Sequence, residues 1–402
     1  MDEPLTASRQ SVRFMLLYAL AWAGGAIAYT PFLSILLPVR VSLLAGPGGD
    51  VAWLAYIAFF GAIAASLGHI GFGYLSDITG NRRAWIGLGL ILSNGLLFAI
   101  SQASGLIGLI VLIAGWQLAL NMMLAPLAAW AGDCVPDHQK GLLGGLLAFA
   151  PGFGAFSGAF VTVPGIASAD GRLALVVAIV SCCVLPVLVA GSPVPIAEPA
   201  LRAEPGTIMT TAQDRSNRRA TAYRMWFARL AVQVAESALF AYLYFWFRSL
   251  DPAISDNQTA RVFGLTLILS VPATLLAGRW ADLRNRPIAP LVVSAAVCSV
   301  GLAGMAFART LPTAIGTYAL FGLAASVFLA LHSAQTLRVL PRSDRRGRDL
   351  GLFNLTNTVP SLIMPWIALA LIPYFGFSGL FVLLAALALI SSFLLWPFDR
   401  RI

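Results

Sequence analysis

Apolar runs of about 20 residues, separated by short polar stretches, recur about twelve times along the chain. A helix needs roughly 20 mostly apolar residues to cross about 30 Å of hydrocarbon. A backbone in lipid must satisfy its own hydrogen bonds, and these runs are too long and too apolar for barrel strands. The pattern therefore predicts an all-α integral membrane protein with about twelve transmembrane helices.

One polar motif between two apolar runs occurs twice. Gly73 is followed four residues later by Asp77, and Gly278 is followed in the same way by Asp282. Each residue of the second pair stands 205 residues after its counterpart, and the prolines that open two later basic loops show the same offset. This spacing predicts two copies of one membrane unit.

A composition shift divides the chain between these copies. Residues 191–223 are rich in Pro, Ala, Ser, Thr and charged residues, which is typical of a linker rather than a packed domain. We therefore predict an N-terminal six-helix bundle at 1–190, a cytoplasmic linker at 191–223 and a C-terminal six-helix bundle at 224–402.

Composition supports a location in lipid. Of the 402 residues, 59% are hydrophobic and 11% are charged, whereas roughly a quarter are charged in soluble domains. The net charge of +9 does not indicate a nucleic-acid module, because the basic residues alternate between successive loops. By the positive-inside rule this alternation predicts a multi-pass protein of the cell inner (plasma) membrane with both termini in the cytoplasm.

The seventh predicted span carries the clearest candidate chemistry. Arg229, Gln233 and Glu236 are four and three residues apart, so they share one helix face, and Glu236 is near the middle of the apolar stretch. Ionisable residues at that depth are costly and are usually functional. We interpret Glu236 and Arg229 as a proton-coupling pair. The alternative is a structural pair that only latches helices together.

Other polar and aromatic side chains interrupt the apolar monotony of the predicted spans. Amides and indole rings suit hydrogen bonding and ring stacking with a hydroxylated solute, although interhelical contacts explain them equally well. The candidate substrate-binding residues are Trp22, Tyr29, Gln117, Asn121, Gln233, Asn354 and Asn357.

The stretch from Gly73 to Arg83 reads G-x-L-x-D-x-x-G-x-R-R and resembles the signature loop of the major facilitator superfamily (MFS). Ile78 and Asn81 depart from it, because that family usually has basic residues there. Residues 133–141 and 341–360 resemble the corresponding segments of bacterial disaccharide:proton symporters. The resemblance implies two pseudo-symmetric six-helix bundles that alternate access to a central site. It also implies a conformational switch formed by Gly73, Asp77, Gly80, Arg82, Arg83, Gly278 and Asp282.

Three functions are compatible with these patterns. The first is a proton-linked symporter of a polar small solute such as a sugar or glycoside, and the second is a proton-driven exporter of amphipathic or cationic compounds. The third is a non-transporting membrane sensor or assembly factor. No phosphate loop, nucleophile elbow or metal-ligand spacing is seen, so we expect no enzyme activity, cofactor or metal. The expected partners are the solute, protons and the lipid bilayer, with the protein as a monomer.

Overall fold

A computed structural model describes residues 9–46, 48–193, 212–284, 286, 288–339 and 346–399, and the regular elements within these ranges are all helical. A π-helical turn, Phe32–Leu36, lies between the first two α-helices. The α-helices are α1 Val12–Pro31, α2 Leu37–Leu44, α3 Asp50–Thr79, α4 Arg82–Ile100, α5 Leu106–Cys134, α6 Asp137–Leu147, α7 Ala150–Val161, α8 Ala169–Ala190, α9 Ala212–Leu250, α10 Asp256–Leu283, α11 Ala289–Phe307, α12 Leu311–Val339 and α13 Arg346–Asp399.

Eleven helical segments in the described part of the chain are long and apolar enough to cross a membrane. The last of them, Thr356–Trp396, has 41 residues, about twice the length that one crossing requires. Gly376 interrupts its helical geometry with a φ of 62°, a left-handed conformation that glycine adopts without steric cost. The segment thus provides two consecutive spans, in agreement with the prediction of about twelve.

Most of the polar signature motif is helical rather than a loop. Residues 73–79 continue helix α3, and only Gly80 and Asn81 lie outside helices. Gly80 has a φ of +64°, and the Asn81 side chain accepts a 3.1 Å hydrogen bond from the backbone N–H of Ala84. A left-handed glycine followed by an N-cap asparagine is sufficient to end one helix and start the next.

Helix α9 begins at Ala212, so the last residues of the predicted linker are helical. Hydropathy indicates only the membrane-crossing part of α9, Tyr223–Leu250, whereas the helix also includes the residues from Ala212 onwards. The remainder of the predicted linker that follows residue 193 lies outside the described residues.

The 205-residue offset also appears in the helices. Helix α5 begins at Leu106 and α12 begins at Leu311, which places the start of α12 205 residues after that of α5. The repeat that the signature motif predicts therefore extends to the position of a helix.

Contacts divide the chain into two compact units. The first comprises Met1–Phe32 and Phe60–Gly206. In this unit α1 packs on α7 and α8, while α4 packs on α5. Its core contains large aromatic side chains, such as Trp116, whose ring meets that of Phe32 edge-on at 4.8 Å. The bundles at 1–190 and 224–402 stay a prediction.

The second unit comprises Leu33–Phe59 and Thr207–Ile402. In it α13 packs on α9 and α11, and α12 packs on α9, α10 and α11. The rings of Trp246 and Phe381 meet edge-on at 4.8 Å in its core. These contacts bring α9, the helix with the predicted proton-coupling residues, against both α12 and α13.

Candidate functional site

The polar row of α9 lies within its membrane-crossing part, Tyr223–Leu250. Arg229, Gln233 and Glu236 are all half-buried in the second unit. Because they are four and three residues apart on one helix, their side chains form one continuous strip. We define these three residues as the α9 polar strip.

The guanidinium group of Arg229 joins three helices. Its Nη1 donates to the backbone oxygen of Leu329 at 3.3 Å and to Oγ of Ser333 at 2.8 Å, both on α12. Its Nη2 donates to Oδ1 of Asn357 on α13 at 3.2 Å. Arg229 therefore has its hydrogen-bond partners inside the second unit.

Gln233 links the strip to its carboxylate. Its Nε2 donates a 2.9 Å hydrogen bond to Oε2 of Glu236. The other end of the amide, Oε1, is buried and has no hydrogen-bond donor among the described residues. A charge-assisted bond therefore holds the carboxylate at one end of the amide, while the other end has an unmet acceptor.

Glu236 points into the second unit. Its carboxylate interacts electrostatically with Arg229 on the same helix, with Cys298 of α11 and with Tyr318 of α12. Arg229 and Glu236 form no ion pair with each other. The structure thus brings the two predicted proton-coupling residues into one cluster without joining them as a salt bridge.

His332 lies on α12 beside this cluster. Its ring is fully buried, and its Nε2 donates a 2.9 Å hydrogen bond to the backbone oxygen of Met225 on α9. This contact ties α12 to α9 near Arg229. This helix-to-helix hydrogen bond is enough to explain a buried histidine at this position.

The predicted amide pair of the first unit is also brought together. Asn121 Nδ2 donates to the backbone oxygen of Gln117 at 2.9 Å. The Asn121 Oδ1 lies 3.2 Å from Nδ1 of His69 on α3, and the added Cβ of an alanine at Gly61 would contact the Gln117 side chain at 3.7 Å. The pair therefore lies where α3 and α5 meet.

The predicted aromatic residues of α1 are also in the first unit. Trp22 stacks on Tyr18 at 6.5 Å between ring centroids. Trp22 and Tyr29 are half-buried and pack against a small cluster of buried alanines from α1 and α7. Of the remaining substrate-binding candidates, Gln233 and Asn357 lie in the Arg229 cluster, whereas the side chain of Asn354 lies outside the described residues.

Arg82 is the centre of a second polar cluster, at the turn between α3 and α4. Its guanidinium forms ion pairs with Asp77 and, from Nε at 3.0 Å, with Asp133 at the end of α5. It also donates to Oγ of Ser76. Arg82 is 14% exposed, whereas Asp77 and Asp133 are 59% and 53% exposed.

Arg83 points to other elements. It donates to the backbone oxygen of Gly191 at the end of α8, and its guanidinium lies 5.4 Å from the ring centroid of Trp130. Arg82, Arg83 and Trp130 line a cavity of about 430 Å³ at this end of the first unit. The N-terminal signature motif is therefore tied to α5 and α8.

The second copy of the motif has a closer glycine contact than the first, but its aspartate lacks an ion pair in the described part of the chain. Gly278 approaches α12, because an added Cβ would lie 3.4 Å from Cδ2 of Leu331. At Gly73 the nearest atom to an added Cβ is Cβ of Ala125, at 3.9 Å. Asp282 is exposed and forms no ion pair within the residues that the structure describes.

Several residues in these clusters were missed by sequence reasoning. Ser333, Cys298 and Tyr318 face the α9 polar strip, and Asp133 completes the Arg82 cluster. Each stands alone in its own span or loop, so periodicity within one helix cannot connect it to a partner on another helix. Only the packing of the helices brings these side chains together.

Comparisons with known proteins agree with this architecture. The family model of the Major Facilitator Superfamily matches residues 225–401. The fold is similar to that of a bacterial homologue of the human lysosomal transporter Spinster in an inward-facing and unoccupied conformation, with a TM-score of 0.72, 12% sequence identity and 96% of each chain covered. The occupied inward-facing form of such a homologue matches with a TM-score of 0.69 and 13% identity, again over 96% of each chain. No curated protein matches the sequence.

The family match to the C-terminal part and the fold similarity over nearly the whole chain agree with the predicted resemblance to the MFS. The predicted all-helical membrane fold is confirmed. The resemblance to disaccharide:proton symporters stays a prediction.

Proposed function

We propose that this protein is a secondary transporter that works by alternating access and couples the movement of protons to that of a polar small solute, such as a sugar or glycoside. The observation that carries the proposal is Glu236, the carboxylate of the α9 polar strip. It lies inside a membrane-crossing helix, accepts a hydrogen bond from Gln233 and has no ion-pair partner among the described residues. Such a group can bind a proton from one side and release it to the other.

The proposed cycle gives each cluster a part. Glu236 carries the proton, and Arg229 lies close enough to respond electrostatically to its charge. The polar side chains proposed to contact the hydroxyl groups of the solute include Gln117, Asn121 and Asn357. The signature residues Gly73, Asp77, Gly80, Arg82 and Arg83, with Gly278 and Asp282 of the second copy, form the conformational switch. The protein acts as a monomer in the inner membrane, with both termini in the cytoplasm.

Transport in proteoliposomes tests the proton role. A panel of labelled sugars and glycosides is offered with and without an imposed pH gradient, in both directions. In the Glu236→Gln variant, gradient-driven accumulation should be abolished while counterflow exchange of the same solute continues, because the neutral amide keeps the shape but cannot cycle a proton. Asp251→Asn, just beyond the end of α9, is the matched control and should behave like the wild type.

The same assay separates the alternatives. Unchanged accumulation in Glu236→Gln would remove this residue from the coupling mechanism. Proton-driven movement of amphipathic or cationic compounds, with no movement of sugars, would favour the exporter. The absence of flux for the whole panel would favour a sensor or assembly role.

A further inference from the structure

Arg229 is a cation whose direct partners are all neutral. Its three hydrogen bonds end on a backbone oxygen, a serine hydroxyl and an asparagine amide oxygen. No carboxylate among the described residues lies within 4.0 Å of it, and Glu236 acts on it only through space. A guanidinium in low-polarity surroundings is normally accompanied by an anion, because its charge is costly there without one.

Arg229 has N–H groups that these three partners do not use. A guanidinium has five N–H groups. The hydrogen bonds to Leu329, Ser333 and Asn357 come from Nη1 and Nη2, so the N–H of Nε has no partner among the described residues. Guanidinium N–H groups are well suited to bind the oxygens of a carboxylate or phosphate.

Polar side chains of α12 and α13 surround the guanidinium of Arg229. Ser333 on α12 and Asn357 on α13 are exposed. Polar groups that converge in this way inside a membrane protein face a wet cavity rather than lipid. The unused N–H groups of Arg229 are therefore within reach of a dissolved anion.

We propose that Arg229, supported by Ser333 and Asn357, binds an anionic group of the transported solute, a carboxylate or a phosphate. This inference rests on the proposed transport function and specifies its substrate class as a polar solute with a negative charge. The three neutral acceptors orient the guanidinium, and its unused N–H groups, including that of Nε, bind the anionic oxygens. A solute with a cationic group at the same position is rejected by charge.

The test compares neutral, cationic and anionic forms of one sugar ring. Purified protein in lipid nanodiscs is titrated with glucose, glucosamine, glucuronate and glucose 6-phosphate, and thermal stabilisation is followed by intrinsic tryptophan fluorescence. We expect the anionic probes to reach half-saturation at about tenfold lower concentration than glucose, because a tenfold change in affinity corresponds to about 1.4 kcal/mol, roughly the difference between a hydrogen bond to a charged group and one to a neutral group. Glucosamine should bind no better than glucose.

Three variants assign the effect. In Arg229→Gln the advantage of the anionic probes should disappear, and in Arg229→Lys, which keeps the charge but not the guanidinium group, part of it should remain. Arg309→Gln removes an exposed arginine from the connection between α11 and α12 and should behave like the wild type. Equal binding of anionic and neutral probes by the wild type, or an unchanged anion advantage in Arg229→Gln, would overturn the inference.

Binding in nanodiscs needs no gradient, so the two proposals can fail separately. Anion preference that depends on Arg229, without proton-driven accumulation, would support this site and refute the proton coupling. Proton-driven accumulation of neutral sugars, without anion preference, would support the proton coupling and refute the anion site at Arg229.

Discussion

The amide of Gln233 holds the carboxylate of Glu236 through a 2.9 Å hydrogen bond from Nε2, one turn away on the same helix. This bond favours the ionised carboxylate, because the amide nitrogen can only donate.

In Gln233→Leu the ionised carboxylate loses this donor, so Glu236 should keep its proton to higher pH. We expect the alkaline limit of proton-driven transport to move up by about one pH unit, since a hydrogen bond to a charged group is worth about 1.5–3 kcal/mol before partial compensation. The pH dependence of uptake in proteoliposomes measures the shift. The control is Ser237→Ala, at the position directly after Glu236, whose side chain points to another side of the helix. An unchanged pH profile in Gln233→Leu would show that the amide does not influence the proton.

Two buried tyrosines should respond in opposite ways to the loss of their hydroxyl groups. The hydroxyl of Tyr18 donates to the backbone oxygen of Leu127 at 2.7 Å, whereas that of Tyr242 is buried without a partner among the described residues. Tyr18→Phe should therefore lower the free energy of unfolding by about 0.5–1.5 kcal/mol, and Tyr242→Phe should leave it unchanged or raise it. Thermal melts in one detergent compare the variants. A loss for Tyr242→Phe equal to that for Tyr18→Phe would mean that Tyr242 has a hydrogen-bond partner in the folded protein.

Helix α4 offers a matched pair of glycines for testing helix packing. An added Cβ at Gly89 would lie 2.8 Å from the backbone carbon of Met122 and 2.9 Å from Cα of Met123, both on α5. At Gly95 nothing lies within 4 Å. Gly89→Ala should thus destabilise the protein by about 1–3 kcal/mol, and Gly95→Ala should be neutral or slightly stabilising. Equal melting temperatures for the two variants would contradict the close approach of α4 to α5.

The Arg82 cluster should make a small, salt-sensitive contribution to stability. Because Asp133 is about half exposed, its pairing with Arg82 is worth about 1 kcal/mol or less. We expect Asp133→Asn to lower the melting temperature slightly at low ionic strength, and this difference should shrink in 1 M salt. Arg82→Ala should cost more, because it removes the partner of Asp77 as well. A loss in Asp133→Asn that does not depend on salt would indicate that the pair is shielded from solvent.

The fold was largely predictable from the chain, because membrane crossings are encoded by hydropathy. Helices α4, α5 and α11 begin or end within about two residues of the apolar runs. Hydropathy does not detect helical residues outside the hydrocarbon, which is why the sequence shows residues 73–79 only as part of a polar motif and the start of α9 only as part of a linker. Glycine and asparagine at positions 80 and 81 were the local signals that limited the turn to two residues.

The candidate sites were only partly predictable. The α9 polar strip is visible in the sequence, because its members share one helix face. Its neighbours on α11, α12 and α13 are not, since the rotation of each helix about its axis decides which side chains meet. For this reason Ser333 and Tyr318 could not be associated with Arg229 and Glu236 before the helices were packed.

The 205-residue correspondence reveals how the two ancestral copies diverged. The positions that precede Arg229 and Glu236 by 205 residues are occupied by Gly24 and Pro31. At Gly24 a side chain is excluded by close contact, because an added Cβ would lie 2.8 Å from Cβ of Cys183, and Pro31 is followed directly by the π-helical turn. At these two positions the first copy therefore has a close helix–helix contact and a proline before a π-helical turn, whereas the second copy has two charged residues. The duplicated halves thus differ in function at matching places in the chain.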